Sequence, residues 1–159
     1  MSTTKELTSK DIARSREFDY VPLQDRFIMR SPEPMYRFNV IGAGVNGQEH
    51  IRVTLLEGRA SVHGVYDPNP SSIRGAMREN ETYAPGKELV IYETLKDACM
   101  DPAVDGLIIC TPNYTHLAVV QEAIRSGKHI LLEKPIATTL DDAYQIPFRL
   151  PKVTIRSSR

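Results

Sequence analysis

Three glycines at positions 42, 44 and 47 are the first residues of this sequence that could bind a ligand. They lie in "VIGAGVNGQEH", between an apolar run and a stretch with helical periodicity. Gly42 permits a tight turn, Gly44 lets a phosphate approach the backbone, and Gly47 lets the helix pack close to the strand. The pattern predicts a turn that binds dinucleotide phosphates at a helix N-terminus, and a structural turn without a ligand is the alternative. The residues between the glycines, which would share this turn, are Ala43, Val45 and Asn46.

An acidic residue, Asp67, lies 20 residues after Gly47, at the end of the next predicted strand. A dinucleotide site has a carboxylate there, which accepts hydrogen bonds from the adenosine ribose hydroxyls and would repel a 2′-phosphate. Asp67 therefore favours NAD over NADP, and Arg74 on the helix that follows could weaken this preference. Alternatively, Asp67 only begins a turn, since "DPNP" is typical turn sequence.

Two polar segments, "CTPNYTH" and "LLEKP", follow the fourth and fifth predicted strands. Open α/β sheets bind their ligands at the edge where the carboxyl ends of the strands meet. We expect Asn113 and His116 beside this crevice. Glu133 and Lys134 would lie on a loop fixed by Pro135, whose peptide bond is either cis or trans. Lys134 could hydrogen-bond a ribose hydroxyl or a substrate oxygen, or transfer a proton. The alternatives are a solvated Glu–Lys surface pair and a histidine that only caps its helix.

The elements that must position these residues alternate between strand and helix. Short apolar runs predict strands at "YRFNVI", "SVHGVYD", "ELVIY", "DGLIIC" and "HILLE". Helices are predicted at "NGQEHIRVTLLEG", "SSIRGAMREN", "TLKDACMD", "YTHLAVVQEAIRSG" and "TTLDDAYQI". The first helix has Ile51, Leu55 and Leu56 close to one face, the second is opened by its serines, and the last has Thr139 as its cap. This alternation predicts the α/β class, with a doubly wound parallel sheet of five strands, or six if "KVTIR" adds one.

Composition excludes several kinds of partner. The chain has 159 residues, with 20 basic and 20 acidic side chains, so no net charge favours nucleic acid or an anionic membrane surface. The two cysteines, Cys99 and Cys110, lack the spacing of a metal site, and so few cysteines favour a reducing compartment. No apolar run has the length of a membrane span, and the acidic residues near the N-terminus argue against a mitochondrial transit peptide. We expect a cytoplasmic protein without a metal site.

Three segments, "VIGAGVNGQEH", "VYDPN" and "DGLIICTPNYTHLAVVQEAIRSGKHILLEKPIATTLDDA", resemble the N-terminal half of the Gfo/Idh/MocA family of glucose–fructose oxidoreductase and inositol dehydrogenase type enzymes. The resemblance covers residues 36–146. It implies a Rossmann-type NAD(P)-binding domain and hydride transfer between a nicotinamide cofactor and a sugar or polyol hydroxyl. It also implies that the glycines bind the phosphates and that Asp67 binds the ribose. The resemblance also implies a wall on the nicotinamide side, formed by Thr111, Pro112, Asn113 and His116. Beside it would lie a loop formed by Glu133, Lys134 and Pro135. Lys134 is then the expected catalytic residue.

Both ends of the chain differ from that family. We expect a polar arm at residues 1–35, the dinucleotide-binding domain at 36–146 and an atypical basic tail at 147–159. The family's second domain, which supplies substrate contacts and the oligomer interface, is not recognisable. A frameshift or premature stop, a natural single-domain protein and a fragment of a two-chain enzyme are competing explanations. We expect weak NAD binding and little or no dehydrogenase activity from this chain alone. A non-catalytic NAD(P)-binding or sensing module is the alternative function.

Overall fold

The computed structural model describes residues 34–146, which form a parallel sheet with helices on both faces. Within these residues the strands are β1 (Tyr36–Ile41), β2 (Ala60–Tyr66), β3 (Val90–Ile91), β4 (Gly106–Ile109) and β5 (His129–Leu132). The α-helices are α1 (Val45–Glu57), α2 (Pro70–Tyr83), α3 (Leu95–Met100), α4 (His116–Arg125) and α5 (Leu140–Gln145). A short 3-10 helix, Asn113–Thr115, directly precedes α4.

The central strand of the sheet is β1, which pairs in parallel with β2 on one side and with β4 on the other. The strand order is β3-β2-β1-β4-β5, so the chain winds outward from β1 in both directions. Ile41, the last residue of β1, pairs with Tyr66 of β2 and with Ile109 of β4. The carboxyl ends of these strands therefore lie at one level, beside the point where the strand order reverses. The predicted doubly wound parallel sheet is confirmed.

Alternating residues of the strands form two separate apolar layers. On one face, Val40 and Ile108 pack with Ile51 of α1 and Ala76 of α2. On the other face, residues of β1 and β4 pack against α3 and α4, and this layer contains Ile41, Leu107, Ile109, Ala98, Cys99, Val119, Val120 and Ala123. All four residues of β4 are buried, as expected for a strand that is covered on both faces. The core thus holds the ends of β1 and β4 in fixed positions.

The helix boundaries agree with the sequence prediction in α1 and differ in α2. Ile51 is buried in α1 as predicted, and the helix ends at Gly58, whose φ of 85° is favourable only for glycine. The helix α2 begins at Pro70, and its N-cap is Asn69, whose side chain accepts a hydrogen bond from the Ser71 amide. The prediction that serines open this helix is therefore wrong: asparagine is an equally good cap, and proline is preferred at the first helical position.

The third strand is shorter than predicted. Only Val90 and Ile91 pair, with Gly64 and Val65 of β2, whereas the sequence predicted a strand of five residues. β3 is an edge strand, with β2 as its one neighbour among the described strands, so no strand on its other side helps to keep a longer segment extended. The arm predicted before residue 34, the basic tail and the sixth strand "KVTIR" lie outside the described residues. Across residues 34–146, no helix has the length and apolar character needed to cross a membrane.

Candidate nucleotide-binding site

A cavity of about 760 Å³ lies at the carboxyl ends of β1, β2, β4 and β5. It is lined by all the site residues predicted from the sequence except Ala43 and Gly47, that is, by Gly42, Gly44, Val45, Asn46, Asp67, Thr111, Pro112, Asn113, His116, Glu133, Lys134 and Pro135. Lining residues that the sequence analysis did not select include Tyr66, Asn69, Ser72, Leu95, Cys110 and Tyr114. Segments distant in the chain therefore meet in one crevice, at the position where open α/β sheets bind ligands.

The surroundings explain each of the three glycines in a different way. Gly42 has a φ of 90°, and a Cβ there would lie 2.6 Å from the Thr111 amide nitrogen. A Cβ on Gly47 would lie 2.0 Å from the carbonyl oxygen of Gly42. Gly44, by contrast, has no heavy atom within 4 Å of its Cβ position and faces the cavity. Gly42 and Gly47 are thus required by the protein backbone itself, whereas Gly44 leaves space that the protein does not fill.

The first turn of α1 provides hydrogen-bond donors at the same place. Its N-cap is Gly44, which has no side chain to accept hydrogen bonds from the first backbone amides. Val45 and Asn46 follow and also line the cavity. A helix N-terminus with such amides carries a partial positive charge and suits an anionic group. The open space at Gly44 and these amides together fit a phosphate.

Both backbone polar groups of Ala43 are held by hydrogen bonds from or to side chains. Its N–H donates to Asp67 Oδ2 at 2.7 Å, and its carbonyl accepts from Gln48 Nε2 at 2.9 Å. The other oxygen of Asp67 accepts from the Asn69 amide at 2.7 Å. Asp67 therefore forms a turn, as one sequence alternative proposed, and it also fixes the glycine-rich turn. Because a carboxylate has about four acceptor positions, both oxygens can still accept from ribose hydroxyls.

Gln48 and Gly75 contribute to this turn and were missed in the sequence analysis. A Cβ on Gly75 of α2 would lie 2.3 Å from Gln48 Nε2. The absence of a side chain at position 75 therefore makes room for the glutamine that holds the Ala43 carbonyl. The glycine inside the predicted helix is the sequence signal that could have pointed to this packing, because glycine there costs helix stability.

We predict that the effect of Gly75→Ala on the free energy of unfolding depends on residue 48. Alone, the new Cβ displaces Gln48 from Ala43, and the lost hydrogen bond offsets the gain of about 1 kcal/mol in helix propensity. In a Gln48→Ala protein the space is free, and Gly75→Ala should raise the free energy of unfolding by about 1 kcal/mol. Urea denaturation of the four proteins measures this. Equal effects of Gly75→Ala in both backgrounds would contradict the packing role.

His116 connects the two polar segments. Its side chain is 1% exposed, with Nε2 2.9 Å from the Thr111 carbonyl oxygen and Nδ1 3.0 Å from that of Pro135. The alternative in which His116 only caps its helix is wrong, because both ring nitrogens face carbonyl groups of the site loops. A neutral ring donates to one of these carbonyls, and only the protonated ring donates to both. The segment after β4 and the loop after β5 are thus joined through one buried side chain.

The loop after β5 contains a cis peptide bond between Lys134 and Pro135. Glu133 is hydrogen-bonded to His50 of α1, at 2.7 Å between Oε1 and Nε2, and so the alternative of a simple Glu–Lys surface pair is wrong. This hydrogen bond from His50, followed by the one from the Lys134 amide, holds the pKa of Glu133 below its ordinary value. Among residues 34–146 the Lys134 ammonium has no hydrogen-bond partner, and it lines the cavity. Glu133 is thus a fixed anion beside a lysine that is free to bind a ligand.

Cys110 also lines the cavity but lacks the properties of a nucleophile. Burial, and then the negative charge of Glu133, raise the pKa of Cys110 to about 12. The thiolate is the reactive form of cysteine, so this side chain stays protonated and inert near neutral pH. In the part of the chain that the structure describes, no group of three histidine, cysteine, aspartate or glutamate residues could hold a metal ion.

Known proteins match this same part of the chain. The family model GFO_IDH_MocA, described as "Oxidoreductase family, NAD-binding Rossmann fold", matches residues 36–149. Inositol 2-dehydrogenase 1 of Saccharopolyspora erythraea is 34% identical over 110 residues, which are 69% of this chain and 32% of that protein. An inositol 2-dehydrogenase of Burkholderia multivorans is 37% identical over 112 residues, again 69% of this chain and 32% of the relative. The chain therefore spans about a third of the length of these curated relatives.

Solved structures match over a similar range. The crystal structure of myo-inositol dehydrogenase from Lactobacillus casei, in complex with NAD(H) and myo-inositol, superposes with a TM-score of 0.61 at 31% identity. The match covers 70% of this chain and 32% of that one. An NAD-binding protein from Listeria innocua matches with a TM-score of 0.59 at 30% identity, over 70% and 31% of the two chains.

Proposed function

This chain belongs to the Gfo/Idh/MocA family of oxidoreductases, and from this membership we propose that its cavity binds NAD for hydride transfer to or from a sugar or polyol hydroxyl. The observation that carries the proposal is the unfilled space at Gly44, where the first amides of α1 line the same cavity. A pyrophosphate would fill the space that a side chain at this position would take. The proposal for the reaction concerns the complete protein, since this chain spans about a third of its relatives.

The proposed cofactor contacts follow the strand order. The glycine-rich turn after β1 would hold the pyrophosphate, and Asp67 after β2 would accept hydrogen bonds from the adenosine ribose. The segment Thr111, Pro112 and Asn113 after β4, fixed by His116, would form the wall on the nicotinamide side. We choose NAD over NADP because the carboxylate of Asp67 would repel a 2′-phosphate. Two free cysteines, Cys99 and Cys110, support a reducing compartment such as the cytoplasm.

Lys134 is the residue that we propose acts in the reaction. A bound nicotinamide supplies the carbon that accepts or donates the hydride. The Lys134 ammonium lies at the cavity, unpaired among the described residues, and would donate a hydrogen bond from Nζ to a ribose hydroxyl or to the reacting oxygen of the substrate. At that oxygen it would also hold or move a proton. We propose a polyol as substrate class because two relatives are inositol dehydrogenases and one solved relative holds myo-inositol.

We predict that the purified chain binds NADH with a dissociation constant on the order of 0.1–1 mM. The binding is weak because the cavity is open on one side, and water is therefore not excluded from the nicotinamide end. NADPH should bind at least about tenfold more weakly, since its 2′-phosphate meets the Asp67 carboxylate. Titration of the fluorescence of each reduced cofactor measures both constants.

Two results would contradict the proposal in different ways. An absence of saturable binding for both cofactors would argue against a nucleotide site in this chain. Equal or tighter binding of NADPH would leave the site in place and would refute the role of Asp67 in cofactor choice.

A further inference from the structure

The hydrogen bond between His50 and Glu133 joins the helix that begins at the glycine-rich turn to the loop that carries Lys134. His50 lies on α1, three residues after Gly47, and Glu133 lies 83 residues further along the chain. The side chains are 27% and 21% exposed, so water competes for this contact less than on an open surface. With its proton on Nε2, His50 donates to Glu133 Oε1 at 2.7 Å.

The second oxygen of Glu133 continues the connection into the backbone of the loop. Glu133 Oε2 accepts a hydrogen bond from the Lys134 amide at 3.1 Å. The carboxylate thus bridges the imidazole on one side and the main chain of Lys134 on the other. If His50 is removed, Glu133 is free to rotate, and the acceptor for the Lys134 amide is no longer fixed.

The loop is also held on its other side. The Pro135 carbonyl lies 3.0 Å from Nδ1 of the buried His116, at the start of α4. Lys134 is therefore the residue between two anchors, one from α1 and one from α4. Its ammonium has no hydrogen-bond partner among the described residues and lies near the Glu133 charge, whereas its backbone is fixed in both directions.

We propose that His50 is a positioning residue for Lys134, acting through Glu133, and that this contact sets the affinity of the site for the nicotinamide end of its cofactor. The second half of this inference rests on the proposed function, since it assumes that Lys134 contacts the bound cofactor. His50 itself does not line the cavity. Its effect on ligand binding is therefore indirect.

Amide hydrogen exchange in the free protein tests the positioning without any cofactor. We expect His50→Ala to increase the exchange rate of the Lys134 amide roughly three- to tenfold. His50→Gln should restore slow exchange, because the glutamine amide can still donate to Glu133. Glu49→Ala, an exposed neighbour on the same helix, is the matched control and should change nothing. Unchanged exchange at Lys134 in His50→Ala would overturn the proposal, whatever the protein binds.

NADH titration tests the consequence for the ligand. His50→Ala should weaken NADH binding roughly three- to tenfold, with His50→Gln close to wild type. In a Lys134→Ala protein, His50→Ala should have no further effect, since its target is already removed. If Lys134→Ala weakens binding but His50→Ala does not, the positioning role is refuted and the proposed function stands. If the wild-type chain binds no NADH, the proposed function fails, and the exchange rates alone decide whether His50 positions the loop.

Discussion

Replacement of Gly47 by alanine is expected to destabilise the domain by at least about 3 kcal/mol, one of the largest effects of any single methyl group in this chain. The added Cβ would lie 2.0 Å from the Gly42 carbonyl oxygen and 3.4 Å from Val40 Cγ1. The first of these atoms belongs to the backbone, so no side-chain rotation relieves the contact. Either α1 or the turn must move away from β1. Against a total stability of about 5–15 kcal/mol for a small domain, such a loss removes much of the folded population.

Urea or thermal denaturation followed by circular dichroism measures this loss, with Gly44→Ala as the matched control. The control adds the same methyl group three residues earlier in the same turn, where no heavy atom lies within 4 Å. It should cost only the capping difference between glycine and alanine, about 1 kcal/mol or less. Equal unfolding midpoints for the two variants would show that the backbone contact at Gly47 has been misjudged.

Gly44→Val is expected to reduce NADH affinity by at least about tenfold and to leave the fold intact. Its side chain would occupy space in the cavity beside the first amides of α1, and no protein atom needs that space. A phosphate would then be held away from those amides, and the favourable interaction with the helix N-terminus falls off within the first turn. The stability cost is confined to the helix cap, so binding and folding respond separately. Fluorescence titration with NADH and a parallel urea denaturation measure the two effects.

Ala118→Val is a suitable comparison for Gly44→Val. It adds a side chain of similar size on an exposed position of α4, and Ala118 does not line the cavity. Its NADH affinity should equal that of the wild type. Wild-type affinity in Gly44→Val would mean that the pyrophosphate does not bind at this turn, and the assignment of the cavity would then have to change.

The order of the elements was predictable because each carries a local pattern. The continuous apolar run of β4 indicates a strand covered on both faces, and the structure buries all of its residues. The limits of β3 were not predictable in this way. Its apolar run is longer than the pair Val90 and Ile91, and β2 continues on both sides of their partners Gly64 and Val65, so neither strand's own sequence sets the number of pairs. The prediction for the N-cap of α2 failed because asparagine and serine are almost equally good caps, and Pro70 is the local signal that favours Asn69.

The site was predictable where its contacts are close in sequence. Gly42, Gly47 and Asp67 belong to one strand–helix–strand unit, so their spacing along the chain fixes their spacing in the fold. The role of His50 was not predictable, because Glu133 is brought to it by the pairing of β4 and β5 on the far side of β1. Nothing in the sequence around His50 specifies that partner.

The central position of β1 has a consequence for the growing chain during synthesis. One edge of β1 is paired with β2, which follows within the same unit, but its other edge is reserved for β4, which begins at Gly106. At a usual synthesis rate of about 5–20 residues per second, that edge of β1 stays unpaired for seconds until β4 has been synthesised. During this interval an apolar strand with unpaired amides and carbonyls is exposed, which is the kind of surface that pairs with other chains. The half of the crevice that would hold adenosine can thus assemble early. The half that would hold nicotinamide forms only after β4 has paired with the open edge of β1.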